Sequence, residues 1–197
     1  MFNTPKSVKS LRAYYKDRTA PASIDHLTQE VTGESDPAFV ILLASILEDV
    51  LIHRVAKHLS FTPNETEFDH IFRFEGPLGT ASARIEIAYL FGFIDERTRG
   101  QLDDIREMRN ACAHSKQQMD FGVPVLANVA KRLFHPQGIA HLIEDSRNGI
   151  RRTFFMEFLF LHQILLEGSR ERGEASVRAE LLKRGAVIPS PDKPTPP

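Results

Sequence analysis

The stretch DPAFVILLASILEDVLIHRVAKHL, residues 36–59, decides the fold. It begins with Asp36-Pro37, an N-cap residue followed by proline at the first helical position. From Phe39 onward its first half is apolar on nearly every side. A helix of that kind belongs at the centre of a bundle, because no face of it prefers water. Glu48, Asp49, His53 and Arg54 break the pattern in the second half, and Ser45 interrupts the first. The run is therefore too short and too polar for a membrane span.

Helical signals continue on both sides of this segment. Asn64 with Glu67 three residues on is a capping box, followed by Phe68, Ile71 and Phe72. Gly76-Pro77-Leu78-Gly79 makes a sharp loop, in which the glycines are expected to supply positive φ and Pro77 fixes its own. A helix over 80–91 follows, with Gly92 suited to the left-handed position just past its end. Asp95 caps a helix over 96–114. Beyond the break at 121–124 come a shorter helix over 125–134, a Phe-rich helix over 150–167 and a charged one over 175–183. Residues 138–148 show no clear period. Upstream, a helix over 5–16 and a short one after Pro21 complete the series. Alternating β-branched runs are nearly absent. The expected fold is all-α: a single multi-helix bundle over 36–186, a helical extension over 1–35 and a disordered proline-rich tail over 187–197.

Composition narrows the function. A chain of 197 residues buries a full core without disulfides. Its formal net charge of −1 argues against a purely electrostatic DNA binder. The lone Cys112 excludes an intramolecular disulfide and a cysteine-rich zinc site, which fits a reducing, cytoplasmic setting. The first residues lack the apolar stretch of a signal peptide. Of the eight histidines, His53 and His58 are five apart and share no face, and no His-Glu-x-x-His occurs. No metal and no cofactor are expected. The loop at 76–80 lacks the lysine of a phosphate loop and the strand before it. There is no Gly-x-Ser-x-Gly elbow, and Cys112 lies on a predicted core face. Arg147, Arg151 and Arg152 read as a solvated basic patch. Phe154, Phe155, Phe158 and Phe160 spread around their helix, some for the core and the rest for a homodimer surface.

The helix over 96–114 holds the most chemistry. At 100° per residue, Leu102, Ile105, Met108 and Cys112 share one apolar sector. Arg106, Asn110 and His114, spaced by four, form a polar stripe beside it. Arg109 falls at the edge of the apolar sector and needs a partner there, for which Glu48, Asp49 and Asp104 are the candidates. Arg84, one turn into the preceding helix, either faces this stripe or forms a salt bridge.

Two groups of residues carry a resemblance. FEGPLGTASARI at 74–85, then Ala88, Gly92 and Ile94, then DIREMRNACAHS at 104–115 resemble the mannitol operon repressor family. That family has a Gly-Pro-Leu-Gly loop, a Ser-Ala-Arg-Ile helix and an Arg-Asn-x-x-Ala-His ending at similar spacing. Ala81 departs from it, standing where an aromatic residue is expected. The resemblance implies a helical regulator of transcription that works through protein partners or homo-oligomers. It would have no DNA-reading module of its own, and no helix-turn-helix with a basic reading face is visible here. On this reading Gly76, Pro77, Gly79, Arg84, Arg106, Arg109, Asn110 and His114 form a binding or structural motif, and direct DNA binding and catalysis are not expected. The pattern Arg109-x4-His114 also resembles HEPN domains, which implies an alternative: a metal-independent ribonuclease or a toxin/antitoxin component acting on RNA. In that case His114 would move the proton, Arg109 would clamp the phosphate and Asn110 would orient one of them.

Overall fold

The computed structural model describes residues 31, 33–73, 75–133 and 146–183. The chain divides into two compact units, 1–33 and 34–197, and the following concerns the second. The helices expected over 5–16 and after Pro21, most of the aperiodic stretch 138–148, and the tail over 187–197 lie outside the described residues.

All regular structure among the described residues is helical. We number the helices α1 (Asp36–Ala56), α2 (Glu65–Phe72), α3 (Ala81–Leu90), α4 (Glu96–His114), α5 (Pro124–Leu133), α6 (Arg147–Glu167) and α7 (Arg170–Lys183). None is long and apolar enough to cross a membrane. As expected, α1 is central: it packs against α3, α4 and α6. Phe39, Val40, Leu43, Leu47, Leu51 and Val55 lie buried along it. Helix α6 completes the core with Phe154, Phe158, Leu161 and Ile164, and α5 and α7 pack on it.

The caps explain where the helices begin. Asn64 and Glu67 form the expected reciprocal box, with Asn64 N–H donating to Glu67 Oε2 at 2.8 Å and Glu67 N–H to Asn64 Oδ1 at 3.0 Å. Thr80 and Asp95 cap α3 and α4. The end of α3 is a Schellman turn: Gly92 has φ 69°, its N–H donates to Tyr89 O, and Phe93 N–H donates to Ala88 O. Two starts differ from expectation. Helix α6 begins at Arg147, because Ser146 accepts from Gly149 N–H and caps it. Helix α7 begins at Arg170, directly after the break at Gly168, rather than at 175.

Asp36 also departs from its expected role. The N-cap of α1 is Ser35, whose hydroxyl accepts from Ala38 N–H. Asp36 turns inward and is only 1% exposed. Its carboxylate accepts from Arg147 Nε at 2.7 Å, Arg151 Nη1 at 2.7 Å and Phe121 N–H at 3.0 Å. Burial alone would raise its pKa, but these donors outweigh burial and hold it below the ordinary carboxylate value. Arg151 also lies 4.0 Å over the Phe39 ring. Arg147 and Arg151 are thus no simple solvated patch: they bind α6 to the first turn of α1.

Along the aromatic helix, Phe154 and Phe158 are core as expected, while Phe155 and Phe160 are only partly buried, and Phe155 stacks on Phe158.

Candidate functional site

The residues that carry the resemblance fall into two places. The first is a folded-back loop between α2 and α3. Leu78 N–H donates to Ile71 O, Gly76 N–H to Arg73 O and Gly79 N–H to Gly76 O. The loop therefore doubles back on the last turn of α2. A Cβ at Gly76 would stand 2.2 Å from His70 O and 2.6 Å from Ile71 O. Glycine is required there for close backbone approach. The expected positive φ is not the reason, since neither Gly76 nor Gly79 has one.

Arg84 closes this knot. It is 7% exposed. Its Nε donates to Leu78 O at 2.7 Å, and its Nη2 donates to Phe72 O and Gly79 O, both at 2.9 Å. Its Nη1 lies 3.7 Å from Glu48 Oε2 on α1. One planar guanidinium thus satisfies carbonyls that neither the loop nor the end of α2 can satisfy internally. Arg84 faces the loop and α1 rather than the α4 stripe, so it does not enlarge a polar patch with Arg106 and His114.

The second place is the C-terminal half of α4. Leu102, Ile105 and Met108 are buried as expected, whereas Cys112 is only half-buried. Desolvation, with help from the charge of Asp36, pushes the Cys112 thiol up to about 11, so it stays protonated near neutral pH. Arg106 is tied down by Asp103 Oδ1 at 3.3 Å and Glu107 Oε1 at 2.8 Å. Arg109 is half-buried and donates to Asn110 Oδ1 at 3.2 Å. The carboxylate expected beside Arg109 does not meet it. Glu48 is held by Arg84, Asp104 accepts from Arg132 at 2.6 and 3.1 Å, and Asp49 is exposed. His114 is exposed in the last turn of α4. The structure therefore groups Arg109 with Asn110, extends a stripe through Arg106 to His114, and sets Arg84 apart with Gly76 and Gly79. Pro77 is exposed in the loop.

Three features escaped the sequence reading. Gln101 and Glu157 are each 5% exposed and share a hydrogen bond between α4 and α6. Gln101 Nε2 also donates to Leu133 O at 2.9 Å, so one amide ties three helices together. Neither residue type announces such a joint: Glu157 reads as an interruption in an apolar run. His162 is 2% exposed, and neither ring nitrogen has a hydrogen-bond partner. Desolvation pulls its pKa down to about 4. Arg54 is the third: its Nε is buried without an acceptor.

Among the described residues no three metal-ligating side chains come together. A recess of about 20 Å³, room for roughly one water, is lined by Ala44, Leu47, Ile85, Ile105 and Ala81 between α1, α3 and α4. No family model, curated protein or solved structure matches the chain. The mannitol-operon-repressor resemblance therefore rests on the motif residues alone.

Proposed function

We propose that this chain is a mannitol-repressor-like regulator of transcription that acts through protein contacts, with no DNA-reading element and no catalysis of its own. One observation carries the reading. Leu90 and Phe91 are each 66% exposed at the end of α3, immediately after the knot that holds the densest part of the resemblance. Apolar side chains presented by a rigid turn suit a protein contact. The motif itself supports the same view, because Gly76, Gly79 and Arg84 are engaged in holding the backbone.

A second reading, a HEPN-type ribonuclease using Arg109 and His114, is favoured by a different observation. Arg109 has no carboxylate to neutralise it, and His114 is exposed, so both are accessible to a phosphodiester. The surroundings weigh against it. Asp103 and Glu107, on the same helix, hold the stripe's arginine, Arg106, which lowers the local affinity for RNA.

Transcript profiling with and without the protein, combined with an RNA cleavage assay on purified chain in EDTA, tests the proposal. The expected result is a discrete set of altered transcripts and intact RNA. EDTA-resistant cleavage that is lost in a folded His114→Ala variant would replace the regulatory reading with the ribonuclease one.

A further inference from the structure

The ends of α1, α3 and α6 meet around Phe93, and the surface they form has a definite chemical character. The Schellman turn at Gly92 projects Leu90 and Phe91 outward and brings Phe93 back against α1. Phe91 and Phe93 stack at 5.9 Å with 19° between their planes. The His58 ring packs on Phe93 at 4.1 Å, and its Nδ1 pairs with Arg54 O at 2.8 Å, which fixes the imidazole. The Arg54 guanidinium lies 5.7 Å over Phe93. It reaches that position because residue 168 is glycine: a Cβ there would come within 1.9 Å of Arg54 Nη2.

Among the described residues, Arg54 contrasts with the arginines that hold an acid. Arg84, Arg99, Arg106, Arg132 and Arg147 each meet a carboxylate. Arg54 meets the C-terminal end of α6 and an aromatic face, and its Nε has no acceptor at all. The α6 dipole offsets part of its charge. On the same helix end the exposed Lys57 adds a second positive charge. An apolar turn thus borders a half-buried, carboxylate-free guanidinium.

We propose that this surface docks a peptide segment of a partner protein in which an apolar anchoring side chain stands next to a carboxylate. The proposal rests on the reading that the chain acts through protein contacts, and it names the chemistry of the partner. The anchor packs on Leu90, Phe91 and Phe93, and the carboxylate meets Arg54, a pairing that planar guanidinium geometry favours. Charge complementarity selects this occupant over a second copy of the chain. A two-fold contact through the same face would bring Arg54 and Lys57 of both copies together, with like charges opposed.

Selection of random peptides of roughly a dozen residues, displayed against the full chain, tests the proposal. The expected peptides combine Leu, Phe or Trp with Asp or Glu within a few positions. A synthetic representative should bind roughly tenfold or more weakly to Phe91→Ser and to Arg54→Gln. The same peptide with its acids replaced by lysine should lose as much affinity on the wild-type protein, a comparison that holds even where Arg54→Gln unfolds. No enriched peptide, an acid-free consensus, or binding unchanged by Phe91→Ser would overturn the proposal. So would Phe91-dependent binding to phosphatidylserine vesicles, or Phe91-dependent self-association, in place of peptide binding. Failure of these binding results with transcript changes intact removes this surface only. Absence of transcript changes with peptide binding intact removes the regulatory reading only.

Discussion

Arg84 and Arg109 stand on adjacent helices of one motif and have opposite surroundings. Arg84 is buried, donates to three backbone carbonyls and faces Glu48. Arg109 is half-buried and donates to the amide beside it. The loop at 76–80 explains the difference. It doubles back on α2 and leaves carbonyls that point at the first turns of α3, so a guanidinium at 84 is the group that completes the fold. At the end of α4 no acid meets Arg109, and two of the candidate acids, Glu48 and Asp104, are held by Arg84 and Arg132. An arginine in a shared motif can thus be a structural element in one place and an available charge in another.

The largest expected effect breaks the first half of that comparison. Arg84→Met strands Glu48 and three carbonyls and should lower unfolding stability by about 3–5 kcal/mol in a urea titration. A loss within experimental error would mean that water replaces the guanidinium freely and that the knot is loose.

His162 sharpens the contrast, since it is a buried polar group without the partners that Arg84 has. Its folded pKa is lowered to about 4 from 6.5. The unfolded chain takes up a proton below about pH 6.5 that the folded chain refuses until about pH 4. Stability should therefore fall across that window, by about 3 kcal/mol in total, and the fall should end near pH 4. His162→Met keeps the volume and removes the titration. Its stability at pH 7 should change by less than about 1.5 kcal/mol, and the drop between those pH values should shrink. A variant with an unchanged profile between those pH values would assign the drop to another group, since the Asp36 clasp, with its lowered pKa, gives way at still lower pH.

Gly76→Ala addresses the knot without touching charge. The added methyl collides with His70 O, so a loss of about 1–3 kcal/mol is expected from thermal or urea unfolding. The smallest effect belongs to the other region. Arg109→Ala should change stability by no more than about 0.5 kcal/mol, because its only hydrogen bond is to the neighbouring amide. A large loss there would restore Arg109 to a structural role.

The sequence reveals most of the helical scheme, and the misses share a cause. Caps such as Asn64-x-x-Glu67, Thr80, Asp95 and Gly92 act over three or four residues, so local pattern suffices to place them. Asp36 looked like a cap because it precedes Pro37. Its true role depends on Arg147 and Arg151, more than a hundred residues away. Separation along the chain likewise hid the Gln101–Glu157 joint and the place of Arg54 against Gly168. Of the motif residues, the association of Gly76 and Gly79 with a rigid turn was legible, but the reason for Gly76 was not, since close approach to His70 O is a tertiary fact. Competition for acids is likewise invisible in one helix. Periodicity shows that Arg109 sits beside the core, and only the assembled bundle shows that Arg84 and Arg132 hold Glu48 and Asp104.

The most direct test compares wild type, His114→Ala and Phe91→Ser for their transcript changes in cells, with expression and thermal midpoint matched. The account predicts that His114→Ala acts as wild type and that Phe91→Ser loses the effect. Loss of the effect in His114→Ala, with Phe91→Ser unaltered, would contradict it and assign the activity to the end of α4.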